Sequence, residues 1–173
     1  MKILTFRILS PENPKFVRDI DIPDEKRFYD LHMGIQAACN YDYTQMTSFY
    51  LSNENWEKLE EISMMPREED IESKHRMMKE TLLKDLLHKK GQRLIYLFDF
   101  FSVRMMFIEV VNVRDMTATE AKLNYPRVVT SEGDSPPALI VDDFDSELDD
   151  FDINDSGNYD EPESFENIDD LDI

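Results

Sequence analysis

Few side chains in this chain are equipped for chemistry. The histidines are His32, His75 and His88, and Cys39 is the one cysteine. His32 and Cys39 stand seven residues apart on one apolar stripe, which would suit a Cys–His nucleophile. Such a pair also needs a third group and an oxyanion site. Nothing marks either, so both side chains read as members of a core face. His75 falls in a segment of weak pattern. His88 sits where a helix ends and a cation complements the dipole. Asp99 closes an aromatic strand and reads as a turn carboxylate, with a general base as the alternative. No second carboxylate is placed to complete an acid/base pair. Gly34, Gly91 and Gly133 are isolated, so there is no phosphate-cradling loop. One cysteine excludes an intrachain disulfide and a multi-cysteine zinc site. If residues 1–141 hold a small-molecule site, its expected members are His32, Asp99 and Arg127 in one pocket. No cofactor is implied.

The strongest compositional signal is charge. Residues 142–173 contain fifteen Asp and Glu and no Lys or Arg, out of a formal net charge of −19. The remainder holds 23 acidic and 19 basic residues, a nearly balanced body. A like-charged block cannot collapse on itself, so the tail is expected to be disordered or to fold on binding. Phe144, Leu148 and Phe151 recur at i, i+4, i+7, and Phe165, Ile168 and Leu171 at i, i+3, i+6. These spaced anchors suit a groove rimmed by Lys or Arg on a protein partner. Asp152, Asn154, Ser156, Gly157, Asp160 and Glu163 also match an EF-hand-like calcium loop. Against it stand Tyr159 in place of the usual aliphatic, Pro162 before the last ligand, and no second loop to pair with.

The elements that must position these residues are legible in part. Ile3 to Leu9 and Lys15 to Ile22 read as antiparallel strands joined by a turn at Pro11 to Pro14. Arg18 shares a side with Phe16, Ile20 and Ile22, so it is expected near an edge or against a carboxylate. Pro23-Asp24 opens a helix with Asp24 as N-cap. Its buried stripe is Phe28, Leu31, His32, Ile35, Ala38 and Cys39. Met46 to Leu51 is a short strand, and Leu82 to Leu87 a compact helix ended by Gly91. Arg93 to Phe100 and Arg104 to Val113 form a hairpin across Phe101-Ser-Val103. Residues 53–80 have weak helical character and read as an insertion or flap. Residues 117–141 read as an irregular closing segment. The expected fold is α+β: an antiparallel sheet with two main helices packed on it, in a domain of residues 1–141.

Three ordered pieces of this body resemble the plasmid pRiA4b ORF-3-like family. They are Ile22-Pro23 with Phe28-Tyr-Asp-Leu-His32 and Ile35-Gln-Ala-Ala38; Leu83-Lys-Asp-Leu-Leu87 with Lys90-Gly91 and Tyr96-Leu-Phe-Asp-Phe100; and Tyr125-Pro-Arg127 with Glu132-Gly133 and Pro136-Pro137. The resemblance spans residues 3–137 and implies an α+β domain of bacterial or plasmid origin, with no established activity. The chain departs from the family's pattern after Phe100, where Phe101-Ser-Val-Arg104 replaces Gly-Asp and a Trp. Val128 and Ser135 stand where relatives often carry cysteines, so a site built on those cysteines is absent here. The acidic tail lies outside the resemblance.

The sequence has no leader-like start and no apolar run of membrane-spanning length, so a soluble cytoplasmic protein is expected. An acidic surface disfavours direct binding of duplex nucleic acid. The leading expectation is a non-enzymatic adaptor on a larger complex, RNA polymerase or the ribosome for example. Its tail would meet a basic surface there. A small-ligand protein or enzyme on the body is the alternative, and a calcium-binding tail the weaker one.

Overall fold

The first two strands alternate as a half-buried antiparallel pair should. Leu4, Phe6 and Ile8 of β1 (Lys2–Ser10) and Phe16, Ile20 and Ile22 of β2 (Asn13–Pro23) point into the core. Thr5 and Arg7 of β1 and Asp19 and Asp21 of β2 share the opposite face, where they bond to one another. The computed structural model describes residues 1–66 and 76–140. After β2 the order is α1 (Phe28–Cys39), β3 (Ser48–Ser52), β4 (Lys58–Ser63), β5 (Arg76–Met77), α2 (Leu83–Leu86), β6 (Arg93–Asp99), β7 (Arg104–Asp115) and β8 (Arg127–Glu132). The described strands form one sheet in the order β5-β4-β3-β6-β7-β1-β2-β8. Every pairing is antiparallel except β4 with β5.

α1 crosses the core face of this sheet. Its first amide groups are satisfied from outside the helix: Phe28 N–H donates to the Thr81 carbonyl and Tyr29 N–H to that of Met78. The start of α2 returns the arrangement, with Leu83 N–H on the Lys26 carbonyl and Lys84 N–H on that of Asp24. The two helix starts therefore brace each other. Asp24 is not the N-cap: the helix begins after Arg27, and Asp24 accepts from the Lys2 backbone N–H at 3.0 Å. Asp30 serves the α1 start instead, accepting from the Arg27 N–H at 2.8 Å. Asn40, in the left-handed conformation, closes the helix, with Tyr41 N–H returning to the Gln36 carbonyl.

Several expectations need correction. The second helix is a single turn of four residues, so among the described residues the layer over the sheet is essentially α1 alone. Leu87 is already extended, and Gly91, at φ +90°, serves the turn into β6 rather than capping α2. The described part of residues 53–80 contains two strands, β4 and β5. β4 pairs with β3, and the lone Trp56 packs edge-on against Phe107, centroids 4.9 Å apart. Residues 67–75, with His75, lie outside the described residues. The closing segment contains β8, which pairs with β2. Arg18 lies one strand in from the sheet edge, as the first alternative has it, and among the described residues it meets carbonyls rather than a carboxylate.

Gly34 sets how closely β8 approaches α1. A Cβ there would lie 2.8 Å from both Cβ and Cγ of Pro126, and 3.7 Å from Ile20 Cγ2. Gly34→Ala is expected to destabilise the fold by roughly 1–3 kcal/mol, although Ala is the better helix former by about 1 kcal/mol. Chemical denaturation measures this, and a variant as stable as the parent would show that Pro126 moves aside without cost.

Candidate functional site

The residues that could do chemistry fall into separate groups. Deepest is a polar cluster between α1 and the sheet. His32 and Gln36 descend from the helix onto Tyr96 of β6, which is fully buried. Gln36 Nε2 donates to the Tyr96 oxygen at 2.8 Å, and His32 Nδ1 lies 2.8 Å from the same oxygen. Thr47 Oγ1 sits 3.2 Å from Nδ1. Where the Tyr96 hydroxyl donates to Nδ1, the imidazole proton sits on Nε2; Thr47, bonded to Tyr96 as well, completes the cluster. Burial drives both groups toward their neutral forms. The His32 pKa falls to about 4 and that of Tyr96 rises.

Asp99 occupies a different place. Its Oδ1 accepts from the Phe101 and Ser102 amides at 3.0 and 3.1 Å, fixing the hairpin turn between β6 and β7. Arg104, buried beside it, forms two hydrogen bonds to Glu12 at 2.8 and 2.7 Å and lies over the Phe98 ring. Its Nη1 stands 3.6 Å from Asp99 Oδ2 with no hydrogen-bond partner among the described residues. Asp99 is thus a turn carboxylate with a cation beside it. Arg127 is exposed on β8, four strands beyond β6 in the sheet order. At about 4.8 Å per strand, that separates Arg127 from the Tyr96 strand by roughly 19 Å. His32, Asp99 and Arg127 share no bonding partner among the described residues.

A group that sequence reasoning missed surrounds the end of α1. Arg18, buried in β2, donates to the carbonyls of Val17, Ala38, Glu132 and Gly133 and to Ser135 Oγ, at 2.5 to 3.2 Å. Its guanidinium also lies over the Phe16 ring. Cys39 is buried against Ser135 and Tyr41, and burial raises its thiol pKa, which suppresses the nucleophilic thiolate. Tyr41 donates to the Pro136 carbonyl at 2.6 Å and stacks on Phe98. The signal for Arg18 was a cation on a strictly apolar strand face, where carbonyl oxygens are the alternative acceptors.

A recess of another kind lies elsewhere. A cleft of about 790 Å³ opens between the end of β2, the end of β7 and the turn at Glu120–Lys122. Pro23, Met116, Ala121, Leu123 and Tyr125 line it, with Glu25 and Lys26 among the polar members. Among the described residues no group of three or more His, Cys, Asp or Glu is arranged to hold a metal ion. No described helix is long and apolar enough to cross a membrane. The anchors Phe144, Leu148, Phe151, Phe165, Ile168 and Leu171 lie outside the described residues. So do Asp152, Asn154, Ser156, Gly157, Asp160 and Glu163.

His32 makes the fold sensitive to acid in a defined window. Its folded pKa, about 4, lies below the ordinary value of 6.5, so the unfolded chain binds the proton first. Stability is full above pH 6.5 and falls by up to roughly 3 kcal/mol as pH drops to 4. His32→Gln should remove most of that fall, read as unfolding free energies in urea at pH 7 and pH 4.5. An unchanged difference would place the acid sensitivity in other groups.

No curated protein matches the chain. The fold is similar to the crystal structure of a protein of unknown function from Methanosarcina mazei Go1, with a TM-score of 0.60. Identity is 19%, and the likeness covers 75% of this chain and 68% of that one. At that identity it speaks for the fold alone. The family model described as plasmid pRiA4b ORF-3-like protein matches residues 2–152. The match starts with β1 and runs past Pro136-Pro137 to residue 152, so the first part of the acidic tail lies within it, contrary to the expectation that the whole tail lies outside. The motif residues inside it include Tyr96, His32 and Gln36 of the buried cluster, Pro126 against Gly34, and Gly133 beside Arg18. With most of its length so matched, the chain belongs to the plasmid pRiA4b ORF-3-like family.

Proposed function

We propose that this protein is a non-enzymatic cytoplasmic adaptor that docks on a larger assembly. Its acidic segment, residues 142–173, engages a basic protein surface there. The observation that carries the reading is the segregation of charge: fifteen acidic residues and no basic one, beside a nearly balanced body. Attraction to a basic surface rises with every added carboxylate, and repulsion from phosphate backbones rises with it. The titratable groups of the body support a binding role over catalysis. His32 and Tyr96 are buried and bonded to each other, Cys39 is held protonated, and Asp99 closes a turn. A nucleic-acid-processing complex, RNA polymerase or the ribosome for example, would supply a basic surface of the right kind. Phe144, Leu148 and Phe151, with Phe165, Ile168 and Leu171, are the proposed anchors.

The test compares affinity capture by three baits: the full chain, a chain ending at residue 141, and a full-length chain with the tail's Asp and Glu changed to Asn and Gln. Partners held by the tail are expected to drop at least tenfold with both altered baits, and to elute from the parent as salt rises. Recovery of the same partners by all three would overturn the tail's role.

The cleft of about 790 Å³ favours a second reading, a small-ligand protein whose site is that recess. Ala121→Trp would fill the recess. A ligand found by thermal shift on the parent should lose its stabilising effect on this variant, and an undiminished shift would place the ligand elsewhere.

A further inference from the structure

β8 is an edge strand: β2 lies on one side of it, and no described strand lies on the other. Natural sheet edges are commonly blunted by Lys or Pro within the strand, by other charges or by a bulge. β8 reads Arg-Val-Val-Thr-Ser-Glu, with no Lys or Pro and with its charges only at its two ends. Val128 and Val129 are 41% and 45% exposed, which leaves two β-branched side chains on an open edge. Its ends carry opposite charges, and both Arg127 and Glu132 are exposed.

The register of β8 against β2 adds a further constraint. Thr130 faces Asp19 and Val128 faces Ile20, so Val129 is an inserted residue, a β-bulge. Residues paired across a sheet point to the same face. Arg127 sits opposite Asp21, and Glu132 opposite Val17, so both belong to the face that carries Asp19 and Asp21. In a strand without the bulge, residues five apart would point to opposite faces. The inserted Val129 brings the two charges onto one face.

We propose that β8 is a self-complementary docking edge that pairs antiparallel with β8 of a second copy of this chain. The two-fold register sets Arg127 of one copy opposite Glu132 of the other, twice. Val128 then meets Ser131, and Val129 meets Thr130. The bulge is what makes this register consistent, because both members of each Arg–Glu pair then lie on the same side of the joined sheet. Isologous contacts of this type require a surface complementary to itself under a two-fold axis, and opposite charges at the two ends of one strand satisfy that requirement. A contact of one short strand pair is small, which places its dissociation constant on the order of 100 µM.

Sedimentation velocity of the full chain, from about 10 µM to 1 mM in roughly 0.15 M salt, tests the proposal. A monomer–dimer equilibrium is expected. Arg127→Glu alone, or Glu132→Arg alone, sets like charges opposite each other twice and should weaken the dimer at least tenfold. The double variant Arg127→Glu/Glu132→Arg reverses every pair and should restore the parent affinity to within about threefold. Circular dichroism and thermal unfolding confirm that each variant is folded. Amide exchange of β8 in the unaltered chain gives a reading that depends on no variant and should slow as concentration rises. A monomer throughout the range, a double variant as weak as the single ones, or β8 exchange independent of concentration would each overturn the proposal.

Discussion

A buried guanidinium holds the far edge of this sheet in place. Arg18 is only 6% exposed and no carboxylate among the described residues pairs with it; four carbonyl oxygens and the Ser135 hydroxyl take up its hydrogen bonds. Burying an unpaired charge ordinarily costs several kcal/mol. Here the Ala38 carbonyl belongs to the last turn of α1, the negative end of the helix dipole, and the Glu132 and Gly133 carbonyls converge from the end of β8. One cation thus satisfies acceptors that the helix end and the strand end leave open. Without it, β8 would be held chiefly by its ladder to β2 and by the fit of Pro126 beside Gly34. The position of β8, and therefore of any surface built on it, follows from Arg18.

The same economy runs through the rest of the body. The polar residues that catch the eye in the sequence are taken up by architecture. His32 and Gln36 anchor α1 to Tyr96, and Asp99 shapes a hairpin turn. Arg7 with Asp19, and Arg114 with Asp21 and Glu120, line the sheet face turned away from α1. Residues shared with the family motifs lie within these contacts. The resemblance is thus carried by the scaffold, which explains how a family can be recognised from it while no reaction is.

Strands with clear two-residue alternation were legible in the sequence, as was the stripe of α1. β1, β2, β6 and β7 stand within one or two residues of their expected bounds. What escaped did so for physical reasons. β4 reads Lys-Leu-Glu-Glu-Ile-Ser, whose charged residues mask a strand supported by its pairing with β3. β8 is exposed over most of its length, so little hydrophobic periodicity survives to mark it. The helix start was misplaced because Asp24 has an N-cap's chemistry but is used by the Lys2 amide. Gln36 was overlooked as a core residue because its acceptor, Tyr96, is 60 positions away. Hydrogen bonds between distant segments leave no local pattern.

The exit of the chain from the body has a mechanical consequence. Ser135 is bonded to Arg18, and the Pro136 carbonyl to Tyr41, just before the acidic segment begins. A pull on residues beyond 140 would load these two fasteners before it reached the ladder of β8. The force would then pass into the end of α1 and the interior of β2, in place of peeling the outermost strand away residue by residue. Tension on the acidic arm would thus be met by a clamp, and the sheet edge would be spared an unzipping load.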